Sequence, residues 1–337
     1  MVKPAAARFI ATAACALALA ASARADTEHT SFALPSTGFF FSAIYLAQDL
    51  GIFAQEGLDV SVVPVTGVGA TNAVISGSVD FTLSSGVTLT RAAARGQKLL
   101  GLANLSDRGG MWVVLRKDVA AAGHFDPASP LAARGALLQD RKMAVAAINA
   151  IPHAYLRIVA KAGGVDPERG MEVAGMAPPD MVSALARGAI DGFVGGAPFI
   201  QKVVQDGTAV ILANGANPME PADLAPIAAN VLVTRPQLCV ANRPLCAKMG
   251  DAMEKVAQAM HQHPDEAIAA LKKRFGGIDD GVFIASYRAT EDMTPNPPIV
   301  TAKELENADR MNIEAGFLKP SEKLDSYDGL FTNDFVH

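Results

Sequence analysis

"TSFALPSTGFFFSAIYLAQDLGIFAQEGLDVSVVPV", residues 30–65, is the stretch on which the fold turns. "TSFALP" reads as a strand, "SAIYLAQDLGIF" as a helix and "LDVSVVPV" as a second strand. Two strands joined through a helix are parallel, and the right-handed crossover sets their carboxyl ends on one edge of a sheet. Between the first strand and the helix stands Pro-Ser-Thr-Gly, followed by three consecutive phenylalanines in a chain that is only 6% aromatic. A buried helix or strand spaces its apolar residues at its own period, whereas three in a row aim their rings in several directions. At least one ring is therefore expected to face something other than the core, with Phe39 or Phe40 the expected one.

The same alternation continues through "GATNAVISG", "VDFTLSS", "GVTLTRAAARG" and "KLLGLANL". After "GMWVVLRKD" and a spacer rich in Ala, Gly and Pro it starts again, running from "RKMAVAAI" to "TAVIL". Repeated β-α-β units imply an α/β fold of two lobes, each a mostly parallel sheet flanked by helices. "PIAANVLVTRP" can run back to the first lobe, and beyond it helices are expected at 244–261, 264–274, 279–289 and 301–315. Having no sheet of their own, these helices are expected to pack on the first lobe. The expected division is 26–115 with 226–337 for lobe 1 and 116–225 for lobe 2.

Residues 1–25 are a separate object. Lys3 and Arg8 precede an apolar run from Phe9 to Ala21, and Ala23-Arg24-Ala25 fits a small-x-small cleavage site, which together read as a cleavable secretory signal. The apolar run is shorter than the roughly 20 residues of a membrane-spanning helix, so the mature chain is expected in the periplasm. The full chain carries a net charge of −5, and losing the leader removes three basic and no acidic residues. That balance argues against nucleic acid or an anionic membrane as a partner.

Without the leader two cysteines remain, Cys239 and Cys246. In an oxidising compartment a close, even pair is a candidate disulfide. On one straight helix this spacing separates them by about 10 Å, too far to bridge. A bridge therefore needs a break, which Pro244 supplies; two buried free thiols are the alternative. Two sulfurs with no clustered histidine do not suggest a metal.

The segments "AQDLGIFAQEGLDVSVV", "AVISGSVDFTLSSG", "ARGQKLLGLA", "MAVAAINAIPHAYL", "MVSALARGAIDGFVGGAPF" and "HPDEAIAAL", in that order, resemble the solute-binding proteins of ABC importers for sulfonates such as taurine, nitrate and thiamine-pyrimidine precursors. The resemblance covers nearly all of the chain after the leader. It implies the type II two-lobe periplasmic-binding-protein fold, a hinge of two crossover strands, a ligand in the cleft between the lobes and a membrane permease that receives the loaded protein. A monomer without a cofactor is expected.

Ligands of open α/β sheets lie beyond the carboxyl ends of the strands, which selects four loops. The first carries Ser36, Thr37 and Gly38 before Phe39 and Phe40: hydroxyls for hydrogen bonds and a ring for an apolar wall. In the second, Gly67 and Gly69 let backbone N–H groups approach a ligand ahead of a helix. The third, Ser84, Ser85 and Gly86, sets two hydroxyls at a helix start, where they serve an anion or simply cap the helix. The fourth, from lobe 2, holds Asn149 and His153, where the resemblance implies polar residues that meet the ligand from the other side. Arg108, with its planar fork, is the best-placed cation for a carboxylate or sulfonate unless it serves a surface salt bridge; Asn104 is on the same strand end. Gly196-Ala197-Pro198 stands where many relatives carry Glu-Pro, and a missing carboxylate speaks against a cationic or aminopyrimidine ligand.

These features point to a binder of a small organic anion, a sulfonate or carboxylate with an apolar or aromatic part. Among six histidines only His153 falls on a cleft loop, and no metal, phosphate or dinucleotide motif is present. Two alternatives stay open at this level. One is an enzyme like the related fungal pyrimidine synthases, whose cysteine-rich iron motif has no counterpart on either cleft edge. The other is a sensor that presents its closed form to a membrane receptor.

Overall fold

The computed structural model describes residues 27–337, so the expected leader at 1–25 lies outside the described residues. Ten strands form two sheets: β1 (Glu28–Leu34), β2 (Leu58–Pro64), β3 (Phe81–Ser84), β4 (Leu100–Asn104), β5 (Trp112–Arg116), β6 (Arg141–Val145), β7 (Met171–Gly175), β8 (Gly192–Gly195), β9 (Ala209–Asn214) and β10 (Val231–Thr234). The order is β2-β1-β3-β10-β4 in one and β7-β6-β8-β5-β9 in the other. The three leading strands of each sheet are parallel: Phe32 of β1 lies opposite Val62 and Phe81, and Met143 of β6 opposite Val173 and Gly192. The fourth strand of each, β10 or β5, runs antiparallel to both its neighbours. Each of these strands follows directly on the last strand of the opposite sheet. The chain therefore crosses between the lobes twice, at 105–111 and 215–230, and these segments form the hinge.

Each sheet has an apolar core on both faces, which is why its central strands read as unbroken apolar runs rather than alternating ones. In lobe 1, Phe32, Phe81 and Leu102 pack against the helices Ser42–Asp49 and Arg243–Gln262, while Ala33, Val231 and Val233 pack with Val74 and Leu89 on the other face. In lobe 2, Val113, Val145 and Val194 bury against the helix Ile151–Ala162, and Val114, Ala144 and Phe193 against the helices Pro178–Ala186 and Phe199–Gln205.

Two expectations are corrected by this topology. Trp112–Leu115, expected in lobe 1, belong to the second sheet, pairing antiparallel with β8 and β9. The exchange of lobes thus comes earlier, around Gly109 and Gly110, where a φ of 60° at Gly110 turns the chain. The C-terminal helices also do not all sit on lobe 1. Arg243–Gln262 and Pro264–Arg274 do, but Asp280–Met293 touches both the phenylalanine turn and the helix Phe199–Gln205, and Ala302–Ala315 packs on Gly86–Ala94 of lobe 1 and on Ile151–Ala162 of lobe 2. Small residues allow that bridge: a Cβ on Gly86 would stand 2.9 Å from the Cβ of Ala308.

Cys239 and Cys246 are joined in a disulfide, with Cα atoms 5.5 Å apart. The break between them is at Asn242, where the helix Pro236–Ala241 ends and Arg243–Gln262 begins. Asn242 caps the second helix by accepting from the Leu245 N–H at 3.1 Å, and Pro244 occupies its first turn, where a missing N–H costs nothing.

Candidate functional site

The loops that follow the carboxyl ends of β1, β2 and β3 meet those that follow β6, β7 and β8 around a cavity of about 130 Å³. The lobes are in contact here. The Phe39 N–H of lobe 1 donates to the Ala197 carbonyl of lobe 2 at 2.9 Å, and a Cβ on Gly67 would lie 2.9 Å from that of Ala147.

The phenylalanine triplet divides by ring. Residues 39–41 form a single 3-10 turn, whose three residues per turn send successive side chains in three directions. Phe39 is fully buried in lobe 1, with its centroid 5.0 Å from that of Phe275 and 4.9 Å from that of Phe283. It is therefore core, not cleft wall. Phe40 and Phe41 line the cavity, edge to face at 5.5 Å. Phe40 lies against the hinge, where a Cβ on Gly110 would come within 2.8 Å of its ring.

Ser36, Thr37, Gly67, Ser84 and Ser85 also line the cavity. Ser84 Oγ and Thr71 Oγ1 share a hydrogen bond of 3.0 Å, and Ser85 caps the helix Gly86–Ala94 by accepting from the Thr88 N–H at 3.3 Å. The helices beginning at Val68, Gly86, Ile151 and Pro178 bring their N-terminal turns to this cavity. Their dipole ends favour negative or hydrogen-bond-accepting groups, although Pro152, Pro178 and Pro179 carry no N–H and the Gly86 N–H already donates to the Ala228 carbonyl at 2.6 Å.

Seven more expected residues lie elsewhere. Gly38 packs under lobe 2, with room for a Cβ closed by the Ala197 carbonyl at 3.1 Å and the Phe199 ring at 3.4 Å. Gly69 sits inside the helix Val68–Ser76, and Gly86 is wedged between Ala228 and Ala308. Asn104 is fully buried and donates to Glu304 Oε1 at 3.0 Å, so it fastens the C-terminal helix to β4. Arg108 spends its charge on Asp107 at 3.0 Å and Asp292 at 3.4 Å, tying the hinge to the helix Asp280–Met293. Asn149 and His153 line a second cavity behind the wall formed by Val68, Thr71 and Thr88. There the Asn149 N–H donates to His153 Nδ1 at 3.0 Å. Burial first, and then Arg157 and Arg91, push the His153 pKa down to about 4 against the opposing pull of Glu168. His153 is thus neutral at pH 7.

Several lining residues were not legible beforehand: Met111, Met181, Phe199 and Asn230. Met181 and Phe199 look like ordinary core positions of amphipathic helices. Asn230, 2% exposed at the entry to β10, donates through Nδ2 to the Phe40 carbonyl, and among the described residues its Oδ1 has no hydrogen-bond partner. A polar residue just ahead of an apolar hinge strand was its one signal. Among the described residues that line the cavity there is no Asp, Glu, Lys, Arg, His or Cys, and no three such metal-ligating groups cluster anywhere among them.

Comparison with known proteins agrees with this architecture. A protein of Bordetella bronchiseptica RB50 superposes with a TM-score of 0.78 at 18% identity, covering 91% of this chain and 95% of that one. The alkanesulfonate-binding protein SsuA from Xanthomonas axonopodis pv. citri gives 0.68 at 15% identity over 88% and 96%. The periplasmic nitrate-binding protein NrtA from Synechocystis PCC 6803 gives 0.64 at 17% identity over 91% and 86%. A nitrate import ATP-binding protein, NrtC of Synechococcus elongatus, is 40% identical over 75 residues, 22% of this chain and 11% of that protein, so this chain spans about a tenth of its length. The family model described as NMT1/THI5 like matches residues 39–267. With that match over most of its length, the chain belongs to the NMT1/THI5-like family.

Proposed function

We propose that this protein is the solute-binding component of an ABC importer, working as a periplasmic monomer once its leader is removed. It captures a small organic anion, a sulfonate or carboxylate with an apolar body, and hands it to a membrane permease. The observation that carries this reading is the cleft: enclosed by two lobes on a two-segment hinge, walled by Phe40, Phe41 and Met181, and furnished with hydroxyls and helix N-termini but no ionisable side chain. An apolar wall suits the body of an organic molecule, and the cleft hydroxyls and helix dipole ends suit its oxyanion head. Two lobes that meet over a ligand trap it by hinge closure, and their opening releases it.

The same lining disfavours catalysis. Acyl transfer or hydrolysis needs a base within reach of a nucleophile, and Ser84 and Ser85 have only Thr71 and Thr88 as hydroxyl partners. No helix of the described residues is long and apolar enough to cross a membrane, which suits a protein that shuttles to its permease.

A thermal-shift screen of the purified chain against alkyl and aryl sulfonates, carboxylates, nitrate and MOPS, the ligand of the Xanthomonas neighbour, tests the reading. A ligand at 100 times its Kd stabilises the fold by about 2.7 kcal/mol, a shift of a few degrees. The expected hit is an organic sulfonate or carboxylate whose effect disappears in Phe40→Ala. Turnover of any screened compound, or a hit indifferent to Phe40, overturns it.

A further inference from the structure

The second cavity, about 550 Å³, adjoins the cleft across Val68, Thr71 and Thr88. Three arginines, Arg91, Arg95 and Arg157, line it with one carboxylate, Glu168. Arg157 is accounted for: it pairs with Glu168 at 2.7 Å and donates to the Ala315 carbonyl at 2.6 Å.

Arg91 is not. It is 7% exposed, lies over the Phe317 ring at 5.1 Å, donates to the Asn149 carbonyl and makes one long contact of 3.5 Å to Asn312 Oδ1. Every arginine that pairs with a carboxylate among the described residues is another one; neither Arg91 nor Arg95 does so. Burial and the neighbouring Arg95 lower its pKa only to about 10, so it remains a cation at neutral pH. A buried charge without a counter-charge is costly. Arg95, one turn further along the helix Gly86–Ala94 and just past its end, adds like-charge repulsion. A guanidinium has five N–H donors, and most of those of Arg91 are unspent. His153 lines the same chamber; with Nδ1 accepting from Asn149, its neutral ring carries the proton on Nε2.

We propose that this chamber binds an oxyanion, a carboxylate, sulfonate or phosphate group, held between Arg91 and Arg95. Such a group supplies the missing counter-charge, and the fork of Arg91 pairs with its oxygens. It has two sources. One is a free inorganic anion. The other is the far end of a two-headed cargo whose apolar body fills the cleft, and only this second source rests on the cleft being the binding site.

Isothermal titration of the purified chain at low ionic strength separates them, with inorganic sulfate, inorganic phosphate, benzoate and terephthalate as probes. The variants are Arg95→Gln, Arg91→Lys and Phe40→Ala. For a free anion, sulfate or phosphate binds once per chain, weakens roughly ten-fold in both arginine variants, and is unchanged in Phe40→Ala. For a two-headed cargo, terephthalate binds roughly ten-fold tighter than benzoate, both arginine variants erase that preference, and Phe40→Ala weakens both compounds. If benzoate and terephthalate bind but neither weakens in Phe40→Ala, while the arginine variants still lose sulfate or phosphate, the cleft reading fails and the chamber stands. Arg95 is exposed, so Arg95→Gln keeps the test valid even where Arg91→Lys unfolds. The proposal is overturned if none of the four probes binds, or if affinities in a folded Arg95→Gln match the wild type.

Discussion

Phe39 and Phe40 are adjacent in the chain and opposite in environment. Phe39 is 0% exposed among Phe275 and Phe283, whereas Phe40 lines the cleft and rests on Gly110. Truncating a buried Phe costs about 3–5 kcal/mol through lost transfer energy and a residual cavity. Phe39→Ala is therefore expected to lower the urea midpoint sharply, with any remaining folded protein keeping its ligand affinity. Phe40→Ala is expected to cost less in stability and at least roughly ten-fold in affinity, since a ring in a binding pocket is worth a kcal/mol or more. Chemical denaturation with and without ligand checks both. The sequence made a cleft-facing ring necessary, because three consecutive apolar residues cannot share one face. It could not choose among them, because the choice depends on how the 3-10 turn is rotated about its axis.

At the scale of the element, the helix Ile151–Ala162 begins with a titrating switch of stability. His153 is held neutral, its pKa pushed to about 4, and the charged groups facing it are Arg91 and Arg157, which lower it, and Glu168, which raises it. The unfolded chain takes up this proton near pH 6.5 and the folded chain only near pH 4. The stabilisation is thus fully present above about pH 6.5 and is lost as pH falls toward 4, an effect of at most about 3 kcal/mol. Urea midpoints measured from pH 7.5 to pH 4.5 are expected to fall more steeply for the wild type than for His153→Gln. Equal slopes would refute the assignment. The helical pattern marked this element and its start, but the company of His153 was not legible: Arg91 and Phe317 come from distant parts of the chain, and Glu168 folds back from the loop just past this helix. Asn104 and Arg108 show the same limit. Their strand end was correctly placed, yet Glu304, Asp107 and Asp292 claim their polar groups before any ligand does.

For the whole molecule, closure depends on how near the two lobes can come. Gly67 has φ 60° and ψ −136°, a region essentially reserved for glycine, and a Cβ there would stand 2.9 Å from the Cβ of Ala147 in the other lobe. Gly67→Ala is expected to hold the lobes apart, weakening ligand binding roughly ten-fold and leaving the radius of gyration in saturating ligand larger than that of the wild type. Adding Ala147→Gly removes the opposing methyl but not the backbone strain, so recovery of affinity in the double variant isolates the contact between lobes. Small-angle scattering and titration on the two variants give the answer.

The sequence by itself determined the two α/β lobes, the order of their elements and the family segments. These are consequences of period, chain punctuation and local geometry, which short stretches encode. For Cys239 and Cys246 it set a helix break as the condition for a bridge, and the structure puts that break at Asn242, two residues before the expected Pro244. Only the tertiary structure decided which lobe takes β5, that the helices Asp280–Met293 and Ala302–Ala315 straddle both lobes, and which candidates share a cavity. An antiparallel strand inserted between two others carries the same apolar run in either sheet, and a polar side chain at a loop serves a ligand or a neighbour equally well. What separates those outcomes is the set of groups that folding brings from far along the chain: Ala197 to Phe39, Glu304 to Asn104, and Phe317 to Arg91.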